Sequence, residues 1–397
     1  MSRDRTGTRW PTSRLGHQAS TRWPHSSWPR RAAMSDTRKP VLSTAYGHRG
    51  TTMTDFAYTP ILRWKQGEQG ALRYVDAADR EHMLPIAEIQ GLERGAAQPI
   101  LERQLLRSAG KTFPIGIDLA TAYDGPVPIA GLVDVVRRMQ LAGIPAWPVL
   151  RAFHAMVDMA ALPHLKGQPA VVIRAYGEST PLVDLQAVVA GVRKACGKRM
   201  PIYVVLDLYA LGDIDVHAKA ALLQPQVAAL VASGEVVQIG MAGGSFPMSL
   251  GSLKQGVGNR LPRRELAIWK ILRTLPNSGA VMFGDYGVTN PEPLEDIDPS
   301  KMNPAAAIRY ALKGDWWVLR GAGVRTKGKG GMGQYNDLCR LLIRSADYSG
   351  QAFSYGDGRY YAHAQPSASS GNLTTWRRDA TSHHVVFTIR QLLAGNV

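Results

Sequence analysis

Eight short apolar runs, often opened by a proline and mostly closed by a charged residue, recur along the chain from residue 58 onward. They are TPILRWK (59–65), LPIAEI (84–89), FPIGIDL (113–119), WPVLRA (147–152), PAVVIRA (169–175), PIYVVLDL (201–208), VVQIGMAG (236–243) and AVMFGDYG (280–287). Proline is tolerated as the first residue of a strand, where its missing N–H costs no ladder bond. Continuous apolar runs of this length belong to strands buried on both faces, as in parallel sheets. Between them, 129–143, 182–197 and 263–275 carry apolar residues at three- and four-residue spacing with charges on the other face, as amphipathic helices do. Gly143 and Gly197 stand where a helix C-terminus takes a left-handed residue. The strand-to-strand spacing of about 31 residues is that of a right-handed strand–helix–strand unit. Eight such units predict an α/β chain folded as a (β/α)8 TIM-like barrel, with a doubly wound open parallel sheet as the alternative.

The pattern covers only part of the 397 residues. Residues 1–52 are rich in Arg, Ser, Thr, Pro and Trp, with no apolar periodicity and no signal-peptide-like run. A basic nucleic-acid arm, a targeting segment, and translation from upstream of a true start at Met53 all fit. The last is expected, which makes this leader disordered and dispensable. The barrel is expected over 53–300, followed by a C-terminal part, 301–397, packed over one end of it. That part reads as a hairpin at 307–321 turning at Lys313-Gly314-Asp315, a Gly/Lys loop at 321–333, a helix at 335–345 and a last apolar segment at 383–393.

Charge separates the same regions. The chain has 47 Lys and Arg against 31 Asp and Glu, a net +16. Ten basic and two acidic residues in the first 53 account for +8, so the remainder is only mildly basic. No internal basic stripe with interleaved aromatics points to sequence-specific nucleic-acid binding. Two cysteines, Cys196 and Cys339, cannot make a disulfide framework or a cysteine zinc site. The longest stretch without Asp, Glu, Lys or Arg, 236–253, is broken by Gln238, Pro247 and several Gly and Ser, so no membrane span is expected. A cytoplasmic protein is expected.

The strand ends carry the chemistry. In a parallel barrel the C-terminal strand ends form the mouth where sites are built. Here they offer Lys65, Glu88, Asp118, Arg151, Arg174, Asp207 and Asp285, with Glu68 and Tyr286 close by. Desolvating an ion costs several kcal/mol unless it is paired or binds a ligand. Such a ring is therefore either a set of salt bridges that fixes the barrel register or a functional pocket, and the pocket is expected. Glu88, Asp118, Asp207 and Asp285 are candidate acid/base groups, and Glu88, Asp207 and Asp285 candidate ligands for Mg²⁺ or Mn²⁺. Lys65, Arg151 and Arg174 are candidates to grip a phosphate. A metal-dependent phosphoesterase or nucleotide hydrolase follows. A glycosidase with Trp64, Tyr286 and Trp376 as sugar platforms is not separated from it.

Two features are weaker. Gly323 to Lys329 has the spacing G-x-x-x-x-G-K, but Gly330 stands where a P-loop needs Ser or Thr, so a mobile flap or plain connector is expected. His383 and His384 are adjacent, so their side chains diverge, and one, represented by His383, is a candidate acid or base at the mouth. H-E-x-x-H, C-x-x-C and G-x-S-x-G are absent.

The segments YTPILRWKQGEQGAL (58–72), PIAEI (85–89), FGDYG (283–287), AIRYALKGDWWVLRG (307–321), FSYGD (353–357) and TSHHVVFTIRQL (381–392) resemble, in this order, the beta-protein family of phages, satellite prophages and bacterial genomes. The resemblance implies an accessory protein of mobile elements, in some cases beside a partner harmful alone, in cassettes that protect the host against other phages. It implies no catalytic mechanism. Family motif positions include Lys65, Glu68, Glu88, Asp285, Tyr286, Arg309, Trp316, Arg320, Asp357, His383, His384 and Arg390, which adds Arg309 and Arg320 to the candidate ligand-binding set. Two functions are carried forward. One is a barrel whose mouth takes a phosphate-bearing small molecule or nucleic-acid end. The other is a non-catalytic protein that restrains or completes a neighbouring-gene partner through an exposed Trp316-Trp317 pair.

Overall fold

The computed structural model describes residues 55–90, 97–121, 127–177, 179–274, 281–292 and 301–395; the expectation for residues 1–52 lies outside them. Seven strands appear where the apolar runs placed them: β1 (Tyr58–Arg63), β2 (Ile86–Gln90), β3 (Ile115–Thr121), β4 (Ala146–Arg151), β5 (Val171–Tyr176), β6 (Ile202–Ala210) and β7 (Gln238–Gly244). A strand with no counterpart in the apolar pattern, β8 (Gly258–Pro262), precedes the eighth expected one, β9 (Met282–Asp285). β1 to β7 and β9 pair in parallel and close, with Tyr58 registered on Phe283 and Pro60 on Asp285 at the seam. The chain is a (β/α)8 barrel. Closure through β1 and β9 rules out the open sheet. Helices Ile129–Leu141 and Leu182–Cys196 lie between strands as expected, and Gly143 and Gly197 take φ of 84° and 86° just beyond them.

Because side chains alternate along a strand, each barrel strand has an inner and an outer set. Ile61, Ile86, Val149, Val172, Val205 and Met282 share the interior cluster. Leu62, Ala87, Leu150, Ile173, Leu206 and Phe283 pack outward in the layer shared with the helices. This parity decides which strand-end ions reach the mouth. Two residues beyond an inner position come Arg63, Glu88, Arg151, Arg174 and Asp207. Asp285 follows Phe283 by two and belongs to the outer set.

The C-terminal part departs from expectation twice. The hairpin β10 (Ala305–Ala311) and β11 (Asp315–Gly323) forms as read, but its third strand is β8, so the sheet order is β10-β11-β8. A division at residue 300 therefore does not follow the fold. β8 escapes sequence reading because GNRLP holds one large aliphatic residue and buries none of its five. The second departure is the last helix, Leu373–Leu393, expected over one end of the barrel. It lies instead along the barrel wall, with Val385, Val386 and Ile389 in the layer that holds Tyr58, Leu72 and Phe283. Gly67 and Gly70 let the helix Gln66–Arg73 approach it closely: a Cβ on Gly67 would stand 2.5 Å from Arg377 Cγ, and one on Gly70 3.0 Å from Arg378 Cδ. The tail thus supplies the eighth wall helix. Its two faces are both covered, one by the barrel and one by the sheet, so no amphipathic stripe announced it. Trp316 and Trp317 are 1% and 9% exposed on opposite faces of that sheet, which corrects the expected surface pair.

Candidate functional site

Arg174 is the hub of one half of the mouth. It is fully buried, and its Nη1 reaches Glu88 Oε2 at 2.7 Å and Asp118 Oδ2 at 2.6 Å. Its Nη2 lies 2.7 Å from Asp207 Oδ2, and Tyr286 donates its hydroxyl to the same oxygen at 2.6 Å. Arg151 spans the rim, with Nε 3.2 Å from Asp118 Oδ2 and Nη2 3.3 Å from Glu88 Oε2. Burial pulls the Arg174 pKa down, but Tyr286, Asp207, Glu88 and Asp118 together hold it well above its ordinary value. Register explains the convergence: Glu88 pairs with Asp118, and Arg151 with Arg174, on neighbouring strands. Glu88, Asp118, Arg151, Arg174, Asp207 and Tyr286 are thus brought together as expected. All three carboxylates are engaged by guanidinium groups, so using one as a base or metal ligand means displacing an arginine first.

The other half has the opposite character. Arg63, 8% exposed, donates from Nη2 to the Pro291 carbonyl, and its Nε has no partner. Arg309 on β10 donates from Nη1 to the Val288 carbonyl at 2.6 Å and lies over the Phe246 ring at 4.7 Å. Arg320 on β11 donates to the Leu253 carbonyl at 2.6 Å and has an unpartnered Nε. Among the described residues no carboxylate lies within 4 Å of these three guanidinium groups. Burial and the nearby Arg377 push the Arg309 pKa down to about 9. Burial, Arg63 and Arg377 likewise lower that of Lys65, whose side chain is exposed. Glu68 pairs with Arg377 at 3.1 Å and leaves its second oxygen unpartnered. Around the described part of the loop after β9, then, Arg63, Lys65, Arg309 and Arg377 stand beside buried Glu68 and exposed Glu292.

Tyr209 stands between the halves. Its φ of 58° is in the left-handed region, a conformation that costs a non-glycine residue about 1–3 kcal/mol. The Asp207 carboxylate accepts its N–H at 2.8 Å. Its ring meets Tyr176 at 5.9 Å and Tyr286 at 6.0 Å, edge to face in both cases.

Two expected site residues, Asp285 and His383, lie elsewhere, for reasons of parity and helix geometry. Asp285 points outward from β9, accepting from Tyr58 OH at 2.6 Å and facing His384 Nε2 at 2.7 Å and Arg263 Nη2 at 3.5 Å. Burial pushes its pKa up, but His384 and Arg263 outweigh that and lower it. Glu88, Asp207 and Asp285 therefore do not form one metal site, and among the described residues no three His, Cys, Asp or Glu groups are arranged to hold a metal ion. His383 does not face the mouth. Its Nδ1 is 2.9 Å from Asp357 Oδ2 and its Nε2 3.0 Å from the Ala311 carbonyl, and its ring stacks on Tyr310 at 3.6 Å. The histidines do diverge: burial lowers the His384 pKa, and its Nδ1 has no partner, which suits a neutral ring donating from Nε2.

Arg63, Tyr176, Tyr209 and Arg377 were missed by strand-end reading. Arg63 was legible from parity, since it is two residues beyond inward-facing Ile61 and in register with Glu88. Arg377, on the last helix, had no local signal.

A family model described as Beta protein matches residues 58–390. No curated protein matches. Among solved structures, the crystal structure of a lyase/mutase candidate from Burkholderia cenocepacia J2315 is similar at 13% identity and a TM-score of 0.30, covering 59% of this chain and 77% of that one. Among the described residues no helix is long and apolar enough to cross a membrane.

Proposed function

The chain belongs to the Beta protein family, and from that premise we propose that its barrel mouth binds a phosphate-bearing ligand. The carrying observation is the pair Arg63 and Arg309, guanidinium groups whose partners are the carbonyls of Pro291 and Val288 and whose charge no carboxylate among the described residues answers within 4 Å. A buried cation is costly unless an anion answers it, and a phosphate can accept from two guanidinium groups at once. Lys65 adds an exposed cation at the same end of β1. Glu88, Asp118 and Asp207 hold Arg174 in place and so shape the floor of the mouth rather than carry out hydrolysis. Mg²⁺ or Mn²⁺ would arrive on the ligand's own phosphates. The setting, by the resemblance above, is an accessory or anti-phage cassette of a mobile element. The alternative, a protein that restrains a partner, loses its tryptophan pair to burial.

Titration calorimetry with ribose 5-phosphate tests the reading. Binding is expected to weaken tenfold or more in Arg63→Met and in Arg309→Met, and to weaken with added salt. Absence of binding by the wild-type chain, or binding indifferent to both substitutions, refutes it.

A further inference from the structure

We propose that the ligand is a nucleotide, its heterocycle seated on Tyr209 and its phosphate on the Arg63 side; this rests on the anion reading above and names the class of molecule within it. A phosphosugar is recognised through hydroxyl groups, which need free carboxylates or amides at the rim. Here Glu88, Asp118 and Asp207 are already engaged by Arg151 and Arg174. What the rim still offers beside its cations is an aromatic face. Tyr209 is partly exposed, and its two ring neighbours, Tyr176 and Tyr286, meet it at 83° and 87°, so neither lies flat upon it. Burial raises the Tyr209 pKa, with Arg63 lowering it and Glu88, Glu292 and Asp207 raising it, so Arg63 is one of the ions surrounding this ring.

The backbone supports a role for the ring. A φ of 58° is a position for glycine or asparagine. At Tyr209 the left-handed turn follows Asp207 at a register shift between β6 and β7, and Asp207 ties down its N–H. Asparagine would hold the same turn with less strain, so packing of the backbone does not call for tyrosine there. Aromatic faces hold nucleobases by stacking with little regard to base identity, which is the selectivity expected of this ring.

Calorimetry with AMP, GMP, CMP and UMP against ribose 5-phosphate isolates the base, since each nucleotide carries a base in place of the anomeric hydroxyl of the same sugar phosphate. At least one nucleotide is expected to bind about tenfold tighter than ribose 5-phosphate. Tyr209→Phe should keep that ratio. Tyr209→Asn, compatible with the left-handed turn, should bring the nucleotide down to the affinity of ribose 5-phosphate and leave the latter unchanged. If all four nucleotides match ribose 5-phosphate, or if Tyr209→Asn preserves the ratio, the nucleotide assignment falls while the anion site stands. If ribose 5-phosphate itself fails to bind, or Arg63→Met and Arg309→Met leave its binding unchanged, the anion reading falls and takes this one with it.

Discussion

The barrel mouth and the core beneath the last helix both bury ions, and they answer surplus charge differently. At the mouth, among the described residues, the surplus is positive: buried Arg63 and part-buried Arg309 rest on carbonyls, close to exposed Lys65. Under the helix it is negative and sealed. Asp379 is fully buried, takes one bond from Arg378 Nε at 2.7 Å, and leaves Oδ2 unpartnered. Burial pushes its pKa up to about 6. Arg378 answers one oxygen of Asp379 but burial outweighs it, so this carboxylate relieves the remaining cost by changing protonation state. An arginine keeps its proton: even Arg309, at about 9, is charged at neutral pH. An arginine at the mouth that no described carboxylate answers therefore marks a place where an anion gains, whereas the imbalance at Asp379 in the core is relieved by titration.

The contrast breaks first at Arg174, which is matched rather than surplus. Arg174→Met should cost about 3–5 kcal/mol, because three buried carboxylates lose a shared partner; urea unfolding measures it. A loss below about 1 kcal/mol would show that the mouth is wetter than its burial implies. Asp379→Asn should act in the opposite direction, raising stability by about 1–2 kcal/mol at pH 7. Its raised folded pKa means that the wild-type contribution is full below about pH 4 and is lost as pH rises toward about 6. The variant should lack that segment of the stability–pH curve.

A smaller effect separates the regions by ligand. Arg309→Met should stabilise the unliganded protein by up to about 1 kcal/mol, since it removes a buried unpaired charge, while abolishing the rise in melting temperature that a bound phosphate gives. Destabilisation with binding intact would reverse the assignment of Arg309. The smallest expected effect belongs to His384. Its folded pKa is lowered, so below about pH 6.5 the unfolded chain binds the extra proton and stability declines as pH falls. Asp285, also lowered, acts in the same direction at still lower pH. In the Asp379→Asn background, His384→Asn should flatten the decline between pH 6.5 and 5 by about 1 kcal/mol; an unchanged slope would mean that His384 is not the titrating group.

Much of the mouth was legible because strand ends and parity are local properties. Glu88, Asp118, Arg151, Arg174 and Asp207 all close inward-facing positions, and neighbouring registers bring them together. Asp285 misled because a strand end names a height in the barrel and not a face. His383 misled because its partners, Asp357 and Ala311, come from 26 and 72 residues away in sequence. The surplus at the mouth was hidden for a related reason. That Arg63 and Arg309 have carbonyls and, among the described residues, no carboxylates beside them depends on the described part of the loop after β9 and on β10, which no pattern near Arg63 describes.

Sequence alone determined the barrel, since a repeated period of apolar strand and amphipathic helix has few ways to bury both layers. It also determined which residue types reach the mouth, through the two-residue alternation of strands. Tertiary structure decided the rest: that the tail returns to complete the wall, that Arg174 clamps three carboxylates, and that Arg63 and Arg309 rest on carbonyls. Charge balance is a sum over neighbours in space, and those neighbours lie on segments far apart in the chain.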